Sequence, residues 1–185
     1  MEGEIPLSPI QLLFFSNRGA EKYHYNQSVL LQGQGHLSVD GLRNALDHIV
    51  LHHDALRMVY RYSSAGWIQK NQGADQGYGW EVVEDRLDTT AFLAHCEKVQ
   101  DSINLQQGPL LKVCLFKGTD NDRLLLVAHH LVMDGVSWRI LLEDLSVLYG
   151  QYQQGQSPVL PLKTDSFKYW QQQQLLFSNS DKLQQ

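Results

Sequence analysis

The stretch LLLVAHHLVMDGVSWRILLEDL, residues 124–145, determines how the rest of the sequence is interpreted. It begins with a continuous apolar run that ends in His129 and His130, which is typical of a buried strand. Asp134 and Gly135 follow, and beyond them the apolar residues recur at helical spacing. Because glycine suits a tight turn, the stretch predicts a buried strand, a tight turn and a long amphipathic helix.

Segments with strand spacing and helix spacing alternate on both sides of this stretch. Strands are predicted at 23–31, 80–83, 110–116 and 123–130, and a hairpin joins 56–62 to 66–70 around a turn at 63–66, with a glycine-rich loop at 73–79. Helices are predicted after an N-cap at Ser38, from Thr89 or Thr90 to about Ile103, from Val136 to about Tyr152, and over 166–177. No repeat or linker interrupts the alternation, so we predict one α/β domain in which a sheet packs against helices.

The composition excludes several classes of protein. The 185 residues are 43% hydrophobic and 19% charged, as in an ordinary globular domain. A formal net charge of −5 disfavours a nucleic-acid partner. The sequence has neither an apolar run near the roughly 20 residues of a membrane span nor a signal peptide, so we expect no membrane partner and a cytoplasmic location. The widely spaced Cys96 and Cys114 suggest neither a disulfide framework nor a zinc knuckle.

The two histidines admit three interpretations. Neighbouring side chains on a strand point to opposite faces, so one ring should enter the interior and the other a cleft, unless the strand has already ended. A zinc site needs three or four convergent ligands, and no cysteine or third histidine is close in sequence, so we expect no metal. Two satisfied core histidines, or an acid/base histidine at the carboxyl end of a strand, remain open. Asp134 can either cap the following helix or form a buried ion pair.

The segment His129–Gly135 matches the HHxxxDG signature of the condensation-domain superfamily of nonribosomal peptide synthetases. The run Val136–Leu145 that follows it resembles the epimerization branch of that superfamily, whereas condensation domains more often carry a tryptophan directly after the glycine. Further resemblances occur in the expected order along nearly the whole chain, at 6–11, 25–31, 53–57, 162–167 and Trp170. The chain is therefore identified as a member of this superfamily.

The resemblance implies a chloramphenicol-acetyltransferase-like lobe, in which a mixed β-sheet packs against helices. Members of the superfamily have two such lobes with the active site in a tunnel between them, and residues 1–185 resemble only the N-terminal lobe. The C-terminal lobe, which carries a glutamate thought to act with the histidine, has no counterpart in this sequence. The early motif also departs from the family pattern, because Leu13 occupies the position where an aromatic residue is usual.

The activity implied is L/D epimerization at the α-carbon of an aminoacyl or peptidyl thioester. The substrate would be carried on the 4′-phosphopantetheine arm of a carrier protein, with no cofactor bound directly by the lobe. The α-proton of a thioester is acidic enough for a positioned base to remove, and proton return from the opposite face would invert the centre. By resemblance His130 is the acid/base group and His129 is structural, with the reverse assignment as the alternative. The implied partners are the carrier protein, the second lobe and adjacent synthetase domains.

Arg57 has two interpretations. The resemblance implies that its guanidinium pairs with Asp134 and braces the histidine turn, since arginine suits buried bidentate pairing. An arginine at this position can instead interact with the last carbonyls of the preceding helix.

Four further residues are possible contacts in the tunnel or with the substrate. Ser137 can donate a hydrogen bond to the thioester or simply occupy the first helical turn. Trp138 distinguishes the epimerization branch, although an aromatic residue at this spacing is typical of a core. Gln11 and Gln27 can line the tunnel or lie on the surface.

Two other functions remain open. A condensation domain would use the same fold to form peptide bonds between two thioester-bound substrates. A non-catalytic lobe would only bind a carrier protein or partner domain. We expect the chain alone to fold, to expose an apolar surface towards the second lobe and to be inactive in epimerization.

Overall fold

The computed structural model describes residues 2–17, 23–64, 66–73, 77–84, 87–163 and 165–180. Within these ranges the strands are β1 (Gly3–Ile5), β2 (Asn26–Gln32), β3 (Met58–Ser63), β4 (Gly66–Asn71), β5 (Gly79–Glu84), β6 (Leu111–Lys117) and β7 (Arg123–His129). The helices are α1 (Pro9–Asn17), α2 (Val39–His52), α3 (Thr89–Asp101), α4 (Gly135–Gln153) and α5 (Phe167–Ser178), with a 3₁₀ turn at Asp54–Arg57.

The strands form two sheets. One is antiparallel with the order β1-β4-β3, and the other is mixed with the order β2-β7-β6-β5, in which only the β5–β6 pair is parallel among the described strands. The central strands β6 and β7 read as continuous apolar runs because both of their faces are covered. The predicted mixed sheet packed against helices is confirmed.

Alternation along β7 divides the core into two clusters. Leu124, Leu126 and Ala128 pack on the side of α2 and α4. Leu125 and Val127 point the other way, towards α3 and the antiparallel sheet. The two-residue period of a strand thus places the carboxyl end of β7 between two packed layers.

Side-chain caps set where the helices begin. Ser38 caps α2 through the Gly41 N–H (3.1 Å), as predicted, and Ser166 caps α5. The prediction for α3 was wrong, because Asp88 rather than Thr89 or Thr90 accepts the hydrogen bond, from the Ala91 N–H (2.8 Å). A carboxylate is an equally good cap, and its use moves both threonines into the helix.

Some elements differ from the sequence-based expectation. β2 begins at Asn26 rather than Tyr23, because Tyr23 and His24 form a 3₁₀ turn. β1 and α1 were not predicted, since β1 has three residues and α1 has apolar residues on both its buried and its exposed sides. Three predicted features lie partly outside the described residues, at Ala65 of the hairpin turn, at 74–76 of the glycine-rich loop and at Thr164 before α5.

The helices within the described ranges are too short or too polar for any of them to cross a membrane.

Candidate active site at the end of strand β7

The two histidines lie where β7 ends. His129 is the last residue of the strand and is paired with Asn26 of β2. One residue later the His130 N–H donates to the Tyr25 carbonyl (2.8 Å), and the Val132 N–H donates back to the His129 carbonyl (3.0 Å). The strand thus passes directly into a hydrogen-bonded turn, which fixes the backbone beneath both rings.

His129 is fully buried. Its Nδ1 accepts a hydrogen bond from the Leu131 N–H (3.1 Å), and the Phe14 ring lies edge-on to the imidazole at 5.9 Å between centroids. Because Nδ1 accepts from a backbone N–H, the neutral ring carries its proton on Nε2. The structure places this ring in the interior, as strand alternation predicted for one of the two histidines.

His130 is half-buried and is oriented differently. Its Nδ1 lies 2.6 Å from the Met133 carbonyl oxygen, and its Nε2 lies 3.3 Å from the amide nitrogen of Gln27. The Tyr25 ring packs against the imidazole at 4.9 Å, tilted by 31°. A carbonyl only accepts, so Nδ1 is the protonated nitrogen and Nε2 carries the lone pair. The ring is therefore a proton acceptor at Nε2.

Asp134 is an exposed N-cap of α4. Its Oδ1 accepts hydrogen bonds from both the N–H and the hydroxyl of Ser137, each at 2.7 Å. The Ser137 backbone bond, and next the hydroxyl bond, lower the pKa of the Asp134 carboxyl. The sequence left open whether Asp134 caps the helix or forms a buried ion pair, and in the structure it caps α4.

Gly135 begins α4 without the left-handed backbone that requires glycine, since it is absent from the described residues with positive φ. A Cβ added there would meet nothing within 4 Å. Gly135 thus fits the position, but neither its backbone conformation nor its surroundings require glycine, because the turn is completed by hydrogen bonds before the helix begins.

The predicted ion pair between Arg57 and Asp134 is wrong. Arg57 is buried, and its Nη1 donates to the Val50 (2.6 Å) and Leu51 (3.1 Å) carbonyls while its Nε donates to the Gln72 carbonyl (3.3 Å). The last carbonyls of a helix lack intrahelical partners, and the 3₁₀ turn brings the guanidinium back to them. The structure therefore corresponds to the alternative, in which the arginine caps the end of α2.

Gln11 does not lie on the surface, so that expectation was wrong, and its side chain is bonded inside the lobe. It is buried, its Oε1 accepts from the Ser8 N–H (2.9 Å), and its Nε2 donates to the Tyr60 hydroxyl (2.9 Å) and to Gln69 Oε1 (3.0 Å). The Tyr60 hydroxyl in turn donates to the Leu131 carbonyl (3.2 Å). Gln11 and Tyr60 thus tie α1 and both strands of the hairpin to the turn after the histidines. Sequence reasoning missed Tyr60, because nothing local marks its hydroxyl as a partner of residue 131.

Trp138 contacts Gln27, and Gln27 contacts His130. Trp138 is buried in the cluster between α2 and α4, and its indole N–H donates to Gln27 Oε1 (2.9 Å). Gln27 is half-buried on β2, with its amide nitrogen facing His130. Ser137 occupies the first turn of α4 and serves the Asp134 cap. The structure brings Gln27 and Trp138 to the histidine through contacts within the protein.

Two polar contacts join the motif segments just beyond the C-terminal end of α2. His53 Nε2 lies 2.6 Å from Asp144 Oδ2 of α4. Lys163, in the extended segment before α5, pairs with the buried carboxylate of Asp54. The 53–57 and 162–167 segments recognised in the sequence thus meet near the 3₁₀ turn, where they hold elements in place.

One group of possible metal ligands occurs among the described residues, at the opposite edge of the mixed sheet. The ligand atoms of Glu81, His95 and Cys114 lie within 4.8 Å of one another. His95 Nε2 is 3.2 Å from Glu81 Oε2 at an angle that makes no hydrogen bond. Burial, and next the Glu81 charge, raise the pKa of Cys114 to about 12. We interpret the group as a histidine and a carboxylate in contact beside a packed cysteine.

A model of the family described as "Condensation domain" matches residues 1–185. Tyrocidine synthase 2 of Brevibacillus parabrevis is 43% identical over 187 residues, covering 99% of this chain and 5% of that protein. Gramicidin S synthase 1 of Brevibacillus brevis is 38% identical over 185 residues, covering 98% of this chain and 17% of that protein. The chain thus spans a small part of the relatives that it matches.

Solved structures give the same result in three dimensions. The epimerization domain from the third module of tyrocidine synthetase B superposes with a TM-score of 0.92 at 42% identity, covering 99% of this chain and 43% of that chain. The starter condensation domain of rhizomide synthetase superposes with a TM-score of 0.82 at 20% identity, covering 97% of this chain and 45% of that chain. The second similarity shows the shared fold, and the predicted chloramphenicol-acetyltransferase-like lobe is confirmed.

Proposed function

The chain belongs to the condensation-domain family, and from this premise we propose that it is the N-terminal lobe of an epimerization domain in a nonribosomal peptide synthetase. The observation that carries the proposal is the state of His130. Its Nδ1–H is held by the Met133 carbonyl, so Nε2 is the basic nitrogen of a half-buried ring beside β2. Nε2 accepts a long hydrogen bond (3.3 Å) from the Gln27 amide, which a substrate would displace. A neutral imidazole fixed in one tautomer is suited to act as a general base.

The proposed step begins with removal of the α-proton from a carrier-bound aminoacyl or peptidyl thioester. The Cα–H bond breaks, an N–H bond forms at His130 Nε2, and the electron pair moves into the thioester carbonyl to give an enolate. A proton then returns to the opposite face of Cα, and the thioester is left intact. We expect the group that returns the proton, and the donors for the enolate oxygen, on the C-terminal lobe. The reason is that one lobe can reach only one face of the α-carbon.

Epimerization is favoured over condensation by two observations. This chain is 42% identical to a solved epimerization domain, against 20% for a starter condensation domain, with TM-scores of 0.92 and 0.82. The Val136–Leu142 run also has the pattern of the epimerization branch. Condensation stays the second candidate, because the same fold and the same histidine nitrogen would serve the amine that attacks a thioester.

Exposed apolar residues near the histidines support a two-lobed site. Ile10, Leu12 and Leu13 of α1 are 53–70% exposed, and Phe14 beside them packs against His129. Exposed apolar patches on a folded domain commonly mark contact surfaces. In the proposal this face of α1 is covered by the C-terminal lobe, and the carrier protein delivers its 4′-phosphopantetheine arm between the lobes.

The test is washout of α-deuterium from a labelled aminoacyl thioester on a carrier protein. We expect washout and a mixture of D and L product only when the C-terminal lobe is supplied in trans. His130→Ala should lower the rate by roughly 10²–10⁴-fold, the usual contribution of a positioned general base. His48→Ala is the matched control, because His48 lies on α2 and bonds the Asn44 carbonyl of its own helix.

Three other outcomes would contradict the proposal. Dipeptide formation from donor and acceptor thioesters without washout would identify a condensation domain. Binding of the carrier protein with neither reaction would identify a non-catalytic lobe. Washout by the chain alone, lost in His130→Ala, would show that the N-terminal lobe removes the α-proton without the C-terminal lobe.

A further inference from the structure

Three side chains and one carbonyl form a continuous chain of hydrogen bonds through His130. The Trp138 indole N–H donates to Gln27 Oε1 (2.9 Å), Gln27 Nε2 lies 3.3 Å from His130 Nε2, and His130 Nδ1 lies 2.6 Å from the Met133 carbonyl. The members come from β2, the turn after β7 and α4, and up to 111 residues separate them in sequence. The hydrogen-bond series therefore exists only when these three parts of the fold have packed together.

The groups at the two ends of this hydrogen-bond series determine which atom donates and which accepts in each bond. An indole nitrogen only donates, so the oxygen of the Gln27 amide must face Trp138. The amide NH₂ is then left facing His130, and it can only donate to an unprotonated Nε2. At the other end the Met133 carbonyl only accepts, which requires the proton on Nδ1. The two constraints are independent, and both select the same tautomer of His130.

We propose that Gln27 and Trp138 are positioning residues that hold His130 in the Nδ1–H tautomer. In this role the Gln27 amide keeps Nε2 unprotonated until a substrate displaces the amide from that nitrogen. The inference rests on the proposed function for its catalytic meaning, but the tautomer itself is a property of the folded chain. Gln27 supplies the hydrogen bond to the ring. Trp138 acts through Gln27, since it fixes which end of the amide faces the histidine.

A rotated amide shows why the tryptophan matters. If the Gln27 side chain turned over, its NH₂ would face the indole N–H and its oxygen would face His130 Nε2. An oxygen at that position favours a proton on Nε2, which removes the lone pair needed to accept one from substrate. Trp138 prevents the rotation because the turned amide would set two donors against each other.

The surrounding fold holds the side chains of Gln27 and Trp138 in place. Gln27 is paired in register with Ala128, immediately before the two histidines. Trp138 is buried with Leu141 and Leu145 against α2, so packing holds the indole in place. Packing alone accounts for an aromatic residue at 138, but packing does not require a ring that carries an N–H donor. The indole N–H is the feature that packing does not explain, and it is directed at the residue that touches His130.

The experiment measures the ring nitrogens of His130 directly. The purified chain is labelled with ¹⁵N-histidine, and the ring signals are recorded at a pH at which the imidazole is neutral, with His130→Ala used to assign them. We expect Nδ1 of the unmodified chain to give a pyrrole-type signal and Nε2 a pyridine-type signal. In Gln27→Met, which lacks the donor, the Nε2 signal should move towards that of an unbonded pyridine-type nitrogen. In Trp138→Phe, which keeps an aromatic core residue, the population with the proton on Nε2 should rise severalfold.

Trp170→Phe is the matched control, because Trp170 is half-exposed on α5 and should leave the His130 signals unchanged. A pyrrole-type Nε2 in the unmodified chain would overturn the proposal. So would His130 signals that are identical in the unmodified chain, Gln27→Met and Trp138→Phe. Two different substitutions are used so that failure of one to fold does not remove the test.

Deuterium washout with the C-terminal lobe in trans separates this inference from the proposed function. We expect Trp138→Phe to lower kcat about tenfold with KM nearly unchanged, because in this proposal the buried indole acts on His130 through Gln27. Altered ring signals without washout in any variant, including the unmodified chain, would contradict the epimerase proposal and leave the positioning role intact. Unaltered ring signals with normal washout in both variants would contradict the positioning role alone.

Discussion

Asp134 accepts two hydrogen bonds from Ser137 through a single carboxylate oxygen, from its backbone N–H and from its hydroxyl, each at 2.7 Å. The aspartate of the HHxxxDG signature is thus occupied by the first turn of α4 rather than by an arginine. It holds the helix start immediately after the turn that carries His130. Its contribution to stability is consequently that of an exposed cap, which is smaller than that of a buried ion pair.

The first prediction concerns this cap. Asp134→Ala should lower the free energy of unfolding by about 1 kcal/mol, the usual value for loss of an N-cap. Asp134→Asn should lose much less, because an asparagine oxygen also accepts the Ser137 N–H. Urea denaturation of both variants measures the difference. A loss of about 3–5 kcal/mol, as expected when a buried pair is broken, would show that Asp134 has a partner other than Ser137.

The second prediction concerns Arg57. Its removal leaves the Val50, Leu51 and Gln72 carbonyls without this donor, and each buried unsatisfied group costs about 1–3 kcal/mol. Arg57→Ala should therefore destabilise the chain more than Asp134→Ala. Because the two residues share no partner, their effects on the unfolding free energy should add to within about 0.5 kcal/mol in the double variant. A larger coupling would mean that the two charges interact after all.

The third prediction separates the two histidines. His129→Ala removes a fully buried ring and leaves the Leu131 N–H without its acceptor, so it should cost roughly 2–4 kcal/mol. His130→Ala removes a half-buried ring and should cost about 1 kcal/mol or less, while lowering the rate of the proposed epimerization by roughly 10²–10⁴-fold. Urea denaturation ranks the two variants. The reverse ranking would mean that the assignment of the structural and the reactive histidine must be exchanged.

The fourth prediction is a pH dependence that originates at Asp122. Its carboxylate is buried and accepts hydrogen bonds from Lys117 Nζ (2.5 Å), the Leu37 N–H (2.7 Å) and His36 Nδ1 (3.1 Å). Burial by itself would raise the pKa of Asp122, but the bonds from Lys117, Leu37 and His36 outweigh it and lower the pKa to about 2. The unfolded chain, with an ordinary aspartate pKa near 3.8, therefore binds this proton first as the pH falls.

The stabilisation from Asp122 should be complete above about pH 4 and lost as the pH falls towards 2. We expect it to be on the order of 2 kcal/mol. Unfolding free energies measured at pH 5 and pH 2.5 should differ less in Asp122→Asn than in the unmodified chain. Asp120→Asn, an exposed neighbour outside this cluster, is the control. An equal pH dependence in Asp122→Asn and the unmodified chain would place the acid sensitivity elsewhere.

The fifth prediction concerns the exposed apolar face of α1. The chain without its second lobe should self-associate at high concentration, and the double substitution Ile10→Ser and Leu13→Ser should reduce the association. Leu162→Ser is the control, because Leu162 is 98% exposed in the extended segment before α5. Sedimentation velocity over a range of concentrations measures the effect. Association lowered equally by Leu162→Ser would argue against a specific surface on α1.

Local patterns in the sequence were sufficient for most of the architecture. The apolar run of β7, the helical spacing after residue 135 and the serine at position 38 each depend on residues that are close in sequence. Short-range periodicity reports which face of an element is buried, so strands, helices and the burial of one histidine follow from it. The HHxxxDG signature likewise identified the family, which the comparison with known proteins confirmed.

The tertiary structure alone decided which polar groups meet. Arg57 bonds the carbonyls of α2, and Gln11 bonds Tyr60 in the interior. Gln27 lies between His130 and Trp138. A polar side chain has no periodic signal for its partner. The partners of Gln11 and Gln27 are chosen by packing between elements that are 49 to 111 residues apart. The α2 carbonyls that Arg57 binds are only 6 and 7 residues away, but its guanidinium reaches them because a 3₁₀ turn folds the chain back. Periodicity therefore determined which face of each element is buried, and only the packing of those faces determined the hydrogen bonds that orient His130.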